Sequence, residues 1–218
     1  MRILLMTIAY IAGSIPFGLV IARARGVDLR KTGSGNIGAT NVLRSVGKGS
    51  AILTLIGDMG KGAAIVAIAR AAGFNDTGVG LVGLCAVLGH DFSVFLSFKG
   101  GKGVATSLGV ILVYSPVVGL ATLGLWLLTA AIARYSSLSA IVSFLLLPVN
   151  YYLLSSSRDG IIRVVFGAVI AALILFKHRG NVSRLIDGTE GKIGGMSGKK
   201  AGGKACGKAC RKDGEEVQ

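Results

Sequence analysis

Metal chemistry has little to draw on in this chain, which holds two histidines and ten acidic residues among 218. Those acids are scattered, whereas a metal-dependent phosphatase or phosphoryl transferase wants clustered carboxylates, so that class is set aside. Aromatic residues make up only 6% of the chain. Stacking platforms for nucleic acid are therefore scarce, and a net charge of +14 does not by itself make a soluble nucleic-acid binder. The three cysteines give no disulfide framework. Cys85 lies in an apolar segment as a small core residue. Cys206 and Cys210, in a tail rich in Gly and Lys, lack the further ligands that a zinc site wants.

What the chain has instead is apolar residue and glycine. Hydrophobic residues amount to 52%, charged residues to 16%, and mean hydropathy is +0.69. This is the balance of an integral membrane protein. Thirty-four glycines are too many for ordinary helix interiors, yet they suit membrane helices whose backbones approach closely.

Apolar runs over 3–22, 51–72, 79–98, 104–133, 138–154 and 161–176 follow one another. The first has Arg23 and Arg25 after its apolar core and no small-x-small cleavage site, so it reads as a retained span, with Ser14 and Pro16 able to bend it. The run over 104–133 is longer than one span needs and divides at Ser115–Pro116. The expectation is an all-α polytopic membrane protein of about seven transmembrane helices, some short or broken. Its N-terminus is outside and its C-terminus cytoplasmic. In that arrangement only Arg2, Arg70, Arg158 and Arg163 of the 24 Lys and Arg fall outside, as the positive-inside rule requires. Residues 193–218 have little to bury and read as a disordered, basic, Gly/Lys-rich cytoplasmic tail, leaving 1–192 as the membrane domain.

Three polar stretches fall on the same side. Residues 98–106, FKGGKGVAT, combine three glycines with Lys99 and Lys102. Successive N–H groups in such a turn make an anion-binding concavity, and the lysines add charge beside it. It is not a Walker A loop, since Gly103 stands where Ser or Thr is required. Residues 26–50 lack a helical period but contain Ser34, Asn36, Asn41 and Arg44, a set able to hold an oxyanion or phosphate. Ile37, Val42 and Leu43 give the segment something to bury. Residues 177–192 gather His178, Asn181 and Glu190. Asp58 and Lys61 can share a helix face inside a span, as a substrate-site pair or a structural one, and His90 is a secondary candidate. Non-helical backbone near a membrane survives only buried in protein or lining a wet cavity, so three such segments on one face make a site. Its chemistry suits a transferase joining a soluble phosphorylated molecule to an acyl chain, or a transporter of an organic phosphate. Few polar residues occupy the outer halves of the spans, which favours a one-sided enzyme.

GSGNIGATNVLR at 33–44, GHDFSVFLSFKGGKGVAT at 89–106 and HRGNVSRLIDGTEGK at 178–192 resemble, in order and spacing, the three motifs of the acyl-phosphate:glycerol-3-phosphate acyltransferase family of bacterial membrane enzymes. The resemblance runs from the first span to about Lys192 and does not extend to the tail. It implies a cytoplasm-facing site in the bacterial inner (plasma) membrane and a role in phospholipid biosynthesis. There an acyl group passes from acyl phosphate to the 1-hydroxyl of glycerol 3-phosphate, giving lysophosphatidic acid and phosphate. It implies no cofactor or metal, membrane lipid as partner, and contact with an enzyme that produces acyl phosphate. By resemblance Ser34 and Arg44 are essential, and Gly100, Gly101 and Gly103 form the glycerol-phosphate loop. His178 and Asn181 serve activity and Glu190 is structural. On chemical grounds Lys102 and Arg44 hold phosphates, with Asn36, Asn41, Lys61, His90 and Lys99 as further binding candidates. His178 stands open as general base or positioning donor, since a substrate phosphate oxygen can also take the proton.

Overall fold

The computed structural model describes residues 2–155 and 160–194, and every regular element among them is helical. In chain order these are α1 (Arg2–Ser14), α2 (Phe17–Arg23), α3 (Ala39–Ser45), α4 (Lys48–Ala71) and α5 (Asp76–Asp91). A 3-10 turn (Val94–Leu96) follows, then α6 (Val104–Tyr114), α7 (Pro116–Ala133), α8 (Ser136–Leu145), α9 (Leu147–Leu154) and α10 (Gly160–Ile186). Among the described residues, five segments are long and apolar enough to cross a membrane, and a sixth joins them if α8 and α9, bent by 42°, form one span. The remaining apolar segment, α6, has 11 residues. At 1.5 Å per residue it covers about 16 Å, roughly half a bilayer core. The expected division at Ser115–Pro116 is present, with Pro116 opening α7, where its missing N–H costs nothing.

Pro16 does more than bend the first run. It separates α1 from α2 and leaves the Ile15 carbonyl unused by the helix, and Lys61 Nζ donates to that oxygen at 2.8 Å. Asp58 lies 2.8 Å from the same ammonium, both side chains being almost wholly buried. The expected pairing of Asp58 and Lys61 on one face of α4 is thus realised within the bundle.

Glycines set the closest helix crossings. Gly13 of α1 rests on the Ala86 carbonyl of α5, and Gly109 of α6 on the Met59 carbonyl of α4; a Cβ at either would collide with backbone. At the far end of the bundle from the polar segments, Tyr114, Tyr151 and Phe166 stack edge to face, with centroids 5.0 to 6.3 Å apart. Above them Arg163 grips Asp76 bidentately at 2.7 and 2.8 Å, and the Tyr114 hydroxyl donates to the same carboxylate at 2.8 Å. That cluster ties α5, α6 and α10 together.

Two expectations about irregular backbone are corrected. Residues 26–50 contain helix α3, and α4 begins at Lys48 rather than after Ser50. A second small core of Leu19, Ala22, Leu29, Ile37, Val42 and Ala51 holds this region, supplying from tertiary packing the apolar face that the local period lacks. Likewise the last helix continues past Phe176 to Ile186, so the polar run from Lys177 is helical for its first ten residues. Residues 155–160, whose sequence SSSRDG reads as a short external turn between two apolar runs, and the tail beyond Gly194, with Cys206 and Cys210, fall on or run into residues outside those described.

Candidate active site

Helical continuation of α10 is what assembles the site. Residues three and four apart share a helix face, so His178, Asn181 and Arg184 line up on one side of α10. His178 and Asn181 are buried there. After Ile186 the chain turns back through Gly188, whose φ of 66° suits glycine, and brings Glu190 against the helix. Glu190 Oε1 accepts from Asn181 Nδ2 at 2.7 Å and from the Ser137 hydroxyl at 2.7 Å, while Oε2 accepts from Arg184 Nε at 2.8 Å. Burial pushes this carboxyl up, but the three hydrogen bonds and the Arg184 charge outweigh it and hold the acid below its ordinary range.

Asn181 passes that order on. Its Oδ1 accepts from Lys102 Nζ at 2.5 Å. Burial pulls the Lys102 ammonium down to about 8; Glu190 draws it up, whereas Arg184, Lys177 and Arg44 press it further down. Lys102 is thus a cation that a dianion would stabilise strongly.

The glycine loop is seated on the end of α5. Gly101 N–H donates to the His90 carbonyl at 2.9 Å and Gly100 N–H to the Asp91 carbonyl at 3.2 Å. Any side chain at Gly100 or Gly101 would overlap His90 or Asp91, and Gly103, at φ 72°, would drive one into the Asp91 carboxyl. Gly103 is also the N-cap of α6, so the first N–H groups of α6 open beside Lys102.

On the opposite wall, Asn41 is the clasp of the segment 29–41. Its Oδ1 accepts from Ser34 N–H at 2.9 Å, and Nδ2 donates to the carbonyls of Leu29, Thr32 and Asn36. Its amide nitrogen and oxygen are both engaged within the loop, an arrangement that presents Ser34 and Asn36. Arg44 donates to the carbonyls of Gly191 at 2.5 Å and Lys192 at 3.1 Å, fastening the irregular segment after Glu190 across the site. Its buried Nε has no hydrogen-bond partner among the described residues. His178 Nδ1 lies 2.8 Å from the Ile174 carbonyl. A carbonyl only accepts, so Nδ1 carries the hydrogen and Nε2 of the neutral ring is left as an acceptor.

These groups border two connected spaces. The larger, about 560 Å³, is lined by Ser34, Asn36, Arg44, Lys102, His178 and Asn181, by the acids Asp58 and Glu190, and over much of its wall by apolar residues such as Leu55, Leu108, Leu123 and Leu127. The smaller, about 380 Å³, is bounded by Gly100, Gly101, Lys102, Lys177, Arg179 and Arg184 and, among the described residues, has no acid on its wall. Ser34, Asn36, Lys102 and Asn181 border both.

Two expected contacts are absent from these walls. Lys61 has its ammonium occupied by Ile15, Asp58 and His90, the last at 2.9 Å, and borders neither space. Its burial under the loop explains why: a lysine there needs internal partners. Lys99 is exposed on the outside of the loop, its carbonyl taken by the Arg30 guanidinium. His90 reaches the larger space but spends Nδ1 on Lys61 and supports Gly101. Conversely, sequence reasoning passed over Ser137 and Arg184. The serine run before an apolar stretch is a helix-start signal, and the spacing of Arg184 from Asn181 is helical. Among the described residues no three His, Cys, Asp or Glu converge as metal ligands.

The sequence profile of the family described as glycerol-3-phosphate acyltransferase matches residues 3–188. The glycerol-3-phosphate acyltransferase of Rubrobacter xylanophilus is 46% identical over 91% of this chain and 98% of its own length. That of a Jannaschia species is 50% identical over 87% of this chain and 92% of its own length. The solved structure of PlsY (YgiH), an integral membrane glycerol 3-phosphate acyltransferase, is similar with a TM-score of 0.82 in its glycerol 3-phosphate form. It is 41% identical and covers 88% of this chain and 94% of that one. A lysophosphatidic acid form of PlsY gives a TM-score of 0.81 at 40% identity, with the same coverage.

Proposed function

The chain belongs to the glycerol-3-phosphate acyltransferase family, as an integral membrane protein of the PlsY type, and on that premise we propose that it takes its acyl group from acyl phosphate. The acceptor is the 1-hydroxyl of glycerol 3-phosphate and the products are lysophosphatidic acid and inorganic phosphate. Residues 1–192 form the catalytic unit, placed in the bacterial inner membrane with the site toward the cytoplasm.

One observation carries this reading: an apolar space and a basic, acid-free space share a wall made of Ser34, Asn36, Lys102 and Asn181. A fatty acyl chain suits the first and a small phosphate ester the second, so the carbonyl and the hydroxyl meet at the shared wall. Binding both there turns a bimolecular reaction into a positioned one.

Acyl phosphate is a mixed anhydride with a good leaving group, so the protein must chiefly stabilise charge and align atoms. The glycerol oxygen bonds to the acyl carbon, the bond from that carbon to the phosphate oxygen breaks, and phosphate leaves with the electron pair. Lys102, the N–H groups at the start of α6 and Arg44 receive phosphate charge. Asn36 and the Ser34 hydroxyl orient the carbonyl or the hydroxyl. The hydroxyl proton goes to His178 Nε2, which the Ile174 contact leaves as an acceptor, and from there to the departing phosphate. In the neutral ring the only N–H is on the Ile174 carbonyl, which favours the base role over that of a positioning donor. Lys61, Asn41 and His90 hold the loops, with Glu190 as the structural tie between α8 and α10. Acyl phosphate hydrolyses readily in water, which favours delivery by contact with the enzyme that makes it.

The test compares donors. Purified protein in lipid is given glycerol 3-phosphate with palmitoyl phosphate, palmitoyl-CoA or a palmitoylated carrier protein. Lysophosphatidic acid from the acyl phosphate alone is the expected result; efficient use of a thioester with no use of the acyl phosphate overturns the donor assignment.

A further inference from the structure

The turn between α5 and the glycine loop carries three apolar side chains outward, while Leu96 packs against the second small core. Phe95 and Phe98 are 57% and 61% exposed, with Val94 beside them. Ser97 and Phe98 both hold left-handed backbone, at φ 49° and 61°, which a bulky residue adopts only under constraint. The constraint is visible. Phe98 N–H donates to the Ser93 carbonyl and Lys99 N–H to the Leu96 carbonyl, both at 2.9 Å. The turn is in turn bolted to α1, where the Ser93 hydroxyl donates to Ser14 and the Tyr10 hydroxyl to Phe92, each at 2.6 Å. A rigid turn that pays strain to aim two phenyl rings away from the protein has its partner outside it.

Three observations identify that partner. The turn packs against the end of α1, where Ile11 and, just past the helix, Ile15 are exposed, as apolar residues facing lipid are. The apolar segment Asp76–Leu96 that is long enough to cross a membrane ends in this turn, and the irregular backbone from Ser97 onward does not suit hydrocarbon, so the level of the turn is the headgroup zone, where aromatic and basic residues collect. Bases are at hand: Lys99 is exposed, and the exposed Arg30 donates to the Lys99 carbonyl. The nearby acid Asp28 is shared with Lys31 at 3.9 Å.

We propose that residues 94–99 are a membrane-surface anchor for anionic phospholipid. Phe95 and Phe98 seat at the boundary of headgroups and acyl chains, and Lys99 and Arg30 contact headgroup phosphates. Because Lys99 leads straight into Gly100 and Gly101, the anchor also sets the height of the glycine loop against the bilayer. The proposal rests on the membrane placement of the helices and not on the identity of the acyl donor.

The experiment places Phe98→Trp in the full chain and reconstitutes it in vesicles of phosphatidylcholine with and without phosphatidylglycerol. Fluorescence is read as the difference from wild type, which contributes only Trp126. The anchor predicts blue-shifted difference emission, quenched by lipids brominated near the headgroup and not by aqueous iodide, more strongly with phosphatidylglycerol present. Quenching by iodide alone overturns it, as does protection from both quenchers, which is how contact with a second protein chain would read. Quenching requires no turnover, so a failure of the acyl-phosphate reading leaves this result intact. As a second readout, Phe95→Ser with Phe98→Ser should raise the KM for glycerol 3-phosphate several-fold in anionic vesicles at similar kcat. An unchanged KM there overturns the link to the glycine loop.

Discussion

Lys102 and Asn181 meet head to head, the ammonium donating to the amide oxygen at 2.5 Å while the amide nitrogen donates onward to Glu190 at 2.7 Å. The order cannot be reversed, because an ammonium only donates and an ionised carboxylate only accepts. Asn181→Asp removes the donor that Glu190 needs and gives Lys102 a permanent counter-ion in competition with phosphate. The expected loss in kcat/KM is about 100-fold or more, on the scale of deleting one charge-stabilising group. Steady-state assays that find over half of wild-type kcat/KM would contradict the relay.

Lys102 also fixes a pH response. Its ammonium sits near 8 instead of 10.5 in the absence of ligand. The charged form, which binds phosphate in the proposed mechanism, prevails below that pH, so the KM for phosphorylated substrate should rise as pH passes through about 8 and upward. For stability the sign is opposite: the depressed value is a penalty fully present below about 8 and fading between 8 and 10.5. A KM profile flat from pH 7 to pH 10 would remove Lys102 from phosphate binding.

For His178, a base role predicts that His178→Ala lowers kcat by about 10²- to 10⁴-fold with little change in KM. Because Nδ1 is held by Ile174, His178→Gln should not restore the rate. Near-normal turnover with only a raised KM would exclude the base role and leave proton transfer to the phosphate alone.

Ser137 and Glu190 separate structure from chemistry. Ser137→Ala removes one of three donors to the carboxylate and should cost about 1 kcal/mol of stability. Glu190→Ala strands Asn181, Arg184 and Ser137 together and should cost several-fold more, with activity falling in parallel. Thermal unfolding in detergent, read beside kcat, checks both; a Glu190→Ala protein as stable as wild type would refute the tie between α8 and α10.

At the other end of the bundle, Asp76→Asn weakens the bidentate Arg163 contact far from the site. A lowered unfolding temperature with unchanged KM for both substrates is expected, and a change in either KM would show that the two ends are coupled.

Much of this was legible in the residues. Hydropathy located every apolar segment, and Pro116 and Pro16 marked real breaks, since proline acts locally. Ser34, Asn36, Arg44, Lys102, His178 and Asn181 do converge on one space. What escaped was decided by tertiary contacts. The helicity of Lys177 to Ile186 depends on packing beneath a polar run, and the inward turn of Asn41 depends on three carbonyls brought to it by the loop's own path. Lys61 carries the charge of a substrate ligand, yet the break before Pro16 gives it a carbonyl within the protein.

The most direct measurement is phosphate release from palmitoyl phosphate by the purified protein in lipid, with and without glycerol 3-phosphate and with lysophosphatidic acid counted in the same samples. The account predicts release that depends on glycerol 3-phosphate and matches lysophosphatidic acid one for one. Release indifferent to glycerol 3-phosphate, or ester formed without phosphate release, would contradict it.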